Sequence, residues 1–199
     1  MIRSLLTLTL LLSPALPSFA AEIDRAAAAM AGQEAQFTQR FTPKGFRNSQ
    51  AESGTVLFGT LPMMRWHYAK PEEKLFVFDG TRSWFYVPGD RQVTIATLND
   101  AKKRELPFLV LGDPAARDRN FVVKERGNVT TLQPRDAKAM VRSISVTTSP
   151  STHLIQRIEY SDREGNSTLF ELSGYHPRPA SAENFRFTPP AGVQVVNAE

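Results

Sequence analysis

The sequence has no cysteine and only three histidines. Without cysteine the chain forms no disulfide and offers no thiolate as a nucleophile or metal ligand. His67, His153 and His176 are not spaced as a metal-binding pair, and the motif His-Glu-x-x-His does not occur. The sequence therefore predicts no metal site and no cofactor, and a fold held together by burial and hydrogen bonding alone.

Catalytic motifs are scarce as well. There is no Gly-x-Ser-x-Gly elbow and no glycine-rich phosphate loop. Carboxylates are scattered through turns, so no catalytic pair stands out. His67 could serve as a general base, but a lone histidine is more often solvent-facing or structurally hydrogen-bonded. We expect a protein that is not an enzyme, with a hydrolase using His67 as the minor alternative.

Apolar runs are short throughout. The longest, Leu5 to Leu12, follows Arg3 and precedes Ser18-Phe19-Ala20. A span across a bilayer needs about 20 apolar residues, whereas a short apolar run followed by small residues is typical of a secretory signal. We predict a signal peptide over residues 1–20, cleavage after Ala20, export from the cytoplasm, and one domain over residues 21–199.

The charge is nearly balanced, with 24 lysines and arginines against 20 acidic residues. The basic residues are dispersed, apart from Lys102-Lys103-Arg104. Proteins that bind nucleic acids usually concentrate their basic residues, so no nucleic-acid partner is expected. The basic triplet is either a solvated loop or a contact with an anionic membrane or partner.

Short elements follow residue 21. Residues 22–31 predict a helix in which Ile23, Ala27 and Met30 form one apolar stripe. Residues 107–111 predict a helix that is apolar on all sides and therefore must be covered. Elsewhere, ten or eleven short strands separated by turn residues indicate an antiparallel meander. A sheet of that size curls, so we expect a mostly β, half-closed antiparallel barrel with a few helices over its open side.

Aromatic residues are abundant, with 13 Phe, 4 Tyr and 2 Trp. Continuous apolar strands at residues 75–78 and 84–87 favour burial on both faces of the sheet. An ordinary core and a cavity for an apolar ligand are both compatible with this composition.

The order of several short motifs resembles the LolA family of periplasmic outer-membrane lipoprotein carriers. Each motif alone is weak, but their joint order and spacing run from Phe37 to Val195 and so cover most of the mature chain. The motifs are Phe37-Thr38-Gln39, Arg65-Trp66-x-Tyr68-x-x-Pro71, Asp79-Gly80-x-x-x-Trp84-x-Tyr86-x-Pro88, Gln92-Val93, Pro107-Phe108-Leu109-x-Leu111, Leu132-x-Pro134, and Phe185-x-Phe187-x-Pro189-Pro190-x-Gly192-Val193-x-Val195.

The resemblance implies an unclosed barrel with a helical lid over a hydrophobic cavity. Its implied partners are lipoprotein acyl chains, a LolCDE-type inner-membrane transporter and a LolB-type acceptor, and we expect a monomer. Other roles stay open, namely a carrier of another lipid or glycolipid, or a ligand-sensing module of the envelope.

The implied site can be assigned to residues of this sequence. The arginine that commonly precedes the proline in the family is replaced by Leu61 before Pro62. For the latch that holds the lid shut, Arg65 and Arg82 are therefore the candidates. The candidates for the cavity wall are Phe37, Met64, Trp66, Tyr68, Phe76, Phe78, Trp84 and Tyr86. The candidates for the lid are Ile23, Ala27, Met30, Phe108, Leu109 and Leu111.

Overall fold

The computed structural model describes residues 21–99, 102–103 and 106–198. The predicted signal peptide lies outside these residues, as does Arg104 of the basic triplet. The helices are α1 (Glu22–Met30), α2 (Pro107–Leu111) and α3 (Pro114–Asn120), and a 3₁₀ turn covers Ala182–Phe185. The strands are β1 (Gln33–Thr42), β2 (Gln50–Phe58), β3 (Met64–Lys70), β4 (Lys74–Phe78), β5 (Arg82–Val87), β6 (Gln92–Thr97), β7 (Phe121–Arg126), β8 (Val129–Pro134), β9 (Val141–Thr148), β10 (Ile155–Asp162), β11 (Ser167–Pro177) and β12 (Gln194–Ala198).

The strands form one sheet of twelve, in the order β12-β6-β5-β4-β3-β2-β1-β11-β10-β9-β8-β7. Strands β2 to β6 and β7 to β11 are two meanders, which β1 joins by pairing with both β2 and β11. β12 returns to pair with β6 in parallel, unlike the antiparallel pairs elsewhere. The predicted half-closed barrel is confirmed, and β7 and β12 are its two edges.

Each face of the sheet buries its own apolar cluster. The inner face, defined here as the face that α1 and α2 cover, carries the main core with Phe37, Trp66 and Phe78. The outer face carries a smaller core with Val77, Trp84 and others, closed by the C-terminal segment. Because successive strand residues point to opposite faces, Val77 and Phe78 fall into different cores.

α1 and α2 lie where the sequence predicts helices, to within one residue. α1 is rich in alanine and is followed by Gly32, whose φ of 71° suits glycine. α2 starts with Pro107, and all five of its residues are buried. α3 starts after Asp113, whose carboxylate accepts a hydrogen bond from the Ala116 amide at 2.8 Å. Within the described residues, no helix has the length and apolarity that a membrane crossing requires.

In the C-terminal segment, apolar and polar residues alternate at Phe185-Arg186-Phe187-Thr188, a pattern typical of a strand. Residues 185–190 contain no strand and instead follow the 3₁₀ turn across the outer face. Phe185 is buried in the outer core, and Phe187 packs against that core. The alternation in this segment therefore reflects packing of its side chains against the outer face of the sheet, and not hydrogen bonding to a neighbouring strand.

Candidate functional site

An apolar pocket of about 220 Å³ lies between α2 and the inner face of the sheet. Its wall carries no charged side chain. The lining residues are Gln39, Met64, Trp66, Tyr68, Phe76, Leu106, Pro107, Phe108, Leu109, Tyr160 and Phe170. A concave, apolar wall with few polar groups is typical of a site for an apolar ligand.

Trp66 is the centre of the aromatic cluster in this pocket. Its ring centroid lies 4.8 Å from Phe37 and 4.7 Å from Phe108, both in edge-on geometry, and 5.4 Å from Phe170. Edge-on aromatic pairs add stabilisation beyond the burial of their surface. Phe108 belongs to α2, so the contact between Phe108 and Trp66 holds the helix against the sheet.

The polar groups of the pocket are neutral. The Tyr68 hydroxyl donates a hydrogen bond to the Gln39 Oε1 atom at 2.9 Å. Burial, together with the negative charge of Glu52, raises the pKa of the Tyr68 phenol above its ordinary value. The phenol therefore stays protonated, and the wall presents no charge to a bound chain.

Six of the predicted cavity residues are brought together in the main core. Met64, Trp66, Tyr68 and Phe76 line the pocket itself. Phe37 packs edge-on against both Trp66 and Tyr68. The sixth, Phe78, is fully buried in the same core, outside the pocket wall.

Trp84 and Tyr86 do not belong to this cavity. Both lie on the outer face, where Trp84 is part of the smaller core and the Tyr86 ring lies 5.1 Å from Phe187. The reason is register, because Phe85 is the residue of β5 that pairs with Phe76 of β4 and shares its face. Their placement in the cavity wall is therefore wrong.

The predicted lid residues do cover the main core. Ile23 and Met30 of α1 are fully buried, as are Phe108, Leu109 and Leu111 of α2. Ala27 is only partly buried, and its neighbour Ala26 takes the buried position in its place. We use "lid" below for α1 and α2 together.

Neither predicted latch residue touches the lid. Arg65 points to the outer face, where its Nη1 donates to the backbone carbonyl oxygens of Asn184 at 3.4 Å and Arg186 at 3.3 Å. Arg82 is exposed and alternates with Ser83, so it shares the outer face with Trp84. Both side chains therefore lie on the face of the sheet opposite to α1 and α2.

The ion pair that joins the helices is between Arg117 and Asp24. The Arg117 Nη1 atom lies 2.7 Å from the Asp24 Oδ1 atom, and the Arg117 Nε atom donates to Asp118 Oδ1 at 2.9 Å. It ties α3 to α1 across 93 residues of sequence. No local pattern in the sequence points to this pair, because its two members are far apart in the chain.

A second contact anchors the start of α1 to the turn between β9 and β10. The Glu22 carboxylate accepts a hydrogen bond from Thr148 Oγ1 at 2.6 Å and lies 3.0 Å from His153 Nδ1. Burial alone would raise the pKa of Glu22, but the hydrogen bonds from Thr148, His153 and Arg25 outweigh it and lower that pKa to about 2. The carboxylate is therefore ionised at neutral pH, as the contact requires.

Helix α2 also borders a second space. A groove of about 580 Å³ lies on the other side of the helix, lined by α3, Pro62 and Gly80 among others. Leu109 lines both this groove and the apolar pocket. α2 is thus a thin partition between two cavities.

The end of α2 rests directly on Leu61 and Pro62. A Cβ atom at Gly112 would lie 2.7 Å from the Pro62 nitrogen and 2.8 Å from the Leu61 carbonyl carbon. Leu61 is buried in the main core. The backbone at Leu61 and Pro62 therefore packs closely against the end of α2 and leaves no room for a side chain at Gly112.

His67, the candidate general base, lies apart from the pocket. It is exposed on the outer face, and its Nε2 atom lies 3.2 Å from the Glu73 Oε1 atom. The register of β3 explains this position, since Trp66 and Tyr68 on either side of His67 face inward.

Comparison with known proteins gives the family. Residues 28–188 match the family described as "Outer membrane lipoprotein carrier protein LolA". The chain belongs to the LolA family. An outer-membrane lipoprotein carrier protein of Xanthomonas axonopodis pv. citri is 31% identical over 185 residues, covering 88% of this chain and 86% of that protein. One from Aliivibrio fischeri is 30% identical, covering 97% of each chain.

A solved structure shows the fold independently of close sequence similarity. The crystal structure of an uncharacterized conserved protein from Thermus thermophilus superimposes with a TM-score of 0.55 at 13% identity. It covers 89% of this LolA family member and 97% of its own chain. The curled sheet with its helical cover is therefore shared beyond the relatives with similar sequences.

Proposed function

We propose that this protein carries the acyl chains of lipoproteins through the periplasm, with a fatty tail held beneath α2. The observation that carries this proposal is the uncharged aromatic pocket roofed by a helix of five buried apolar residues. The relatives named outer-membrane lipoprotein carrier proteins support lipoproteins as the cargo. Binding alone accounts for such a role, so we propose no enzymatic step.

In its closed form the pocket is too small for a long chain. Its volume of about 220 Å³ lies below the ~300–1,000 Å³ of typical ligand pockets. The groove beyond α2 has about 580 Å³, and Leu109 separates the two. Displacing α2 would join both spaces, so we propose that loading moves this helix and not the sheet.

The energies of loading and closing are comparable. A tail of about fifteen methylene groups gains about 12 kcal/mol on leaving water, at ~0.8 kcal/mol per methylene. Exposing the four large side chains of α2 costs about 6–12 kcal/mol, at ~1.5–3 kcal/mol for each buried apolar side chain. The cost of opening the lid thus offsets half or more of the free energy gained by burying the tail, which keeps binding moderate and reversible.

Reversible binding suits transfer without an energy source in the carrier. We propose that an inner-membrane transporter of the LolCDE type supplies the cargo and that an acceptor of the LolB type, where one exists, receives it. Residues 1–20 would direct export and then be removed. Release then runs downhill, because the acceptor needs only to bind the tails more tightly than this pocket does.

The two tryptophans allow a sharp test, since one lies in the pocket and the other on the outer face. In a Trp84→Phe variant, Trp66 is the remaining tryptophan. A brominated fatty acid should quench its fluorescence strongly, because bromine atoms in the pocket would lie against the ring. The matched Trp66→Phe variant retains Trp84 and should show little quenching.

Equal quenching of both variants would contradict binding in this pocket. The cargo itself requires a separate measurement, namely mass spectrometry of the molecules that co-purify from the periplasm. Triacylated lipoproteins would support the carrier role, whereas a glycolipid or another lipid without an attached protein would assign a different cargo to the same pocket.

A further inference from the structure

We propose that one rim of the barrel docks onto an anionic phospholipid bilayer. The rim consists of the loop between β1 and β2 (residues 43–49), the loop between β8 and β9 (residues 135–140) and the turn between β10 and β11 (residues 163–166). This inference goes beyond the carrier function, and it can be tested without any cargo.

Phe46 is the most exposed large apolar side chain of the described residues, at 69%. It lies in a turn closed by a hydrogen bond from its amide to the Pro43 carbonyl oxygen at 3.1 Å. Gly45 precedes it with φ of 81°, which glycine adopts without strain. The local backbone thus presents the ring to solvent, although burial would be favourable.

The charges beside Phe46 are all positive. The loop reads Pro-Lys-Gly-Phe-Arg-Asn-Ser, with Lys44 and Arg47 exposed and no acidic residue. Neither cation has an ion pair among the described residues. An aromatic ring between unpaired cations suits the interface of an anionic bilayer, where the ring enters the boundary region and the cations meet lipid phosphates.

The neighbouring segments of the rim continue this surface. The Lys44 amide donates to Asn166 Oδ1 at 3.0 Å, which joins the first loop to the turn between β10 and β11. In that turn, the Arg163 amide donates to the Met140 carbonyl oxygen at 2.9 Å and its Nη1 to the Lys138 carbonyl oxygen at 3.0 Å. Met140 is a second exposed apolar side chain, at 48%.

The acidic groups in and beside the rim accept hydrogen bonds from nearby backbone and side-chain amides. Asp136 Oδ1 accepts from the Lys138 amide at 2.8 Å, and Asp162 Oδ1 accepts from the Asn166 amide at 2.8 Å. Glu164 Oε2 accepts from the Asn166 side chain at 3.4 Å. None of these carboxylates forms an ion pair with a cation of the rim in the described part of the chain. Glu72 and Glu73 lie in the turn between β3 and β4 at the same end of the barrel, outside the three segments of the rim, and have Lys74 and His67 as their neighbours. The positive charges of the three segments are therefore available to an anionic surface.

The rim is also the end of the barrel nearest the apolar pocket. Gln39, Tyr68 and Tyr160 line the pocket and lie two or three residues from the ends of β1, β3 and β10 at this rim. The lid anchor at His153 lies at the opposite end, between β9 and β10. A bilayer against the rim would therefore face the pocket and not the anchored start of the lid. The nearness of the rim to the apolar pocket favours a lipid surface over an acidic protein as its binding partner.

The test is co-flotation of the purified protein with vesicles at low and at high salt. We expect binding to vesicles of phosphatidylglycerol and phosphatidylcholine at low salt, and at least tenfold weaker binding to phosphatidylcholine alone. A Lys44→Gln/Arg47→Gln variant should bind the anionic vesicles about thirtyfold more weakly, the effect of removing two cations near such a surface. Phe46→Ser should weaken binding in both salt conditions, because its contribution is not screened.

Matched controls lie on the two edge strands, away from the loops of the rim. A Lys124→Gln/Arg126→Gln variant removes the same charge from β7, and Val195→Ser removes an exposed apolar residue from β12. Both should bind as the unmodified protein does. Equal losses in the control and rim variants would overturn the proposal, since net charge alone would then explain binding. Absence of vesicle binding by the unmodified protein would also overturn it and would leave an acidic protein surface as the partner of the rim.

Discussion

Replacing Arg117 with methionine should loosen the lid without unfolding the sheet. The Arg117 side chain is 2% exposed, and its Nη1 atom joins α3 to Asp24 of α1 at 2.7 Å. Methionine keeps much of the apolar stem but removes the charge and its hydrogen bonds. The lid would then be held by its apolar contacts and by the Glu22 anchor at the start of α1.

The magnitude follows from the exposure of the two carboxylates. Removing one member of a fully buried ion pair lowers stability by about 3–5 kcal/mol, because the remaining charge stays buried without a partner. Here Asp24 is 32% exposed and Asp118 is 63% exposed, so both can regain water. The cost should thus approach that of a hydrogen bond to a charged group, about 2 kcal/mol. That change raises the population of the open lid about thirtyfold.

Hydrogen–deuterium exchange measures this opening segment by segment. We expect faster exchange of the amides in α1 and α2, while those in β9 and β10 keep their rates. Arg186→Met is the matched control, because Arg186 pairs with Glu183 at 2.9 Å on an exposed surface. Its removal should leave all segments unchanged, as exposed ion pairs contribute little.

Two results would refute this reasoning. Faster exchange throughout the sheet would mean that the ion pair supports the whole fold and not the lid. Unchanged exchange in α1 and α2 would mean that the Arg117–Asp24 ion pair does not help to hold the lid closed. An Asp24→Asn variant tests the contribution of Asp24 separately from that of Asp118. It keeps the size of the side chain and removes the charge that faces Arg117.

Three further predictions concern the lid and the sheet. Leu109→Glu buries a carboxylate in the apolar partition and should reduce fatty-acid binding at least tenfold with an unchanged circular dichroism spectrum, whereas Val122→Glu on exposed β7 should not reduce it. Because the pKa of Glu22 falls from 4.5 to about 2 on folding, its stabilisation is complete above about pH 4.5 and is lost as the pH falls towards 2. Thermal unfolding of Glu22→Gln should therefore depend less on pH in that window, and an identical pH profile would contradict the anchor. Gly54→Ala should destabilise the protein by about 3 kcal/mol in urea unfolding, because its Cβ atom would lie 1.8 Å from the His67 carbonyl oxygen. Gly89→Ala is the control, since its Cβ atom would meet only the Glu72 carboxylate at 3.5 Å.

Local patterns predicted the elements of the site. The apolar run at residues 107–111 predicted a helix that must be covered. That prediction is confirmed, because all five residues of α2 are buried and a helix that is apolar on all sides cannot face water. The Phe170 and Tyr160 side chains were missed as pocket residues, since their strands were recognised but not their side of the sheet.

The sequence by itself determined a cysteine-free, β-rich chain with an apolar helix that needs cover, and its motif order pointed to the LolA family. Only the tertiary structure decided which face of β5 turns inward, and it places Trp84 and Tyr86 in the outer core and not in the cavity wall. It likewise decided that Arg117 and not Arg65 or Arg82 reaches the lid. Strand register and ion pairs between distant segments depend on where the whole chain packs, and no short stretch of sequence contains that information.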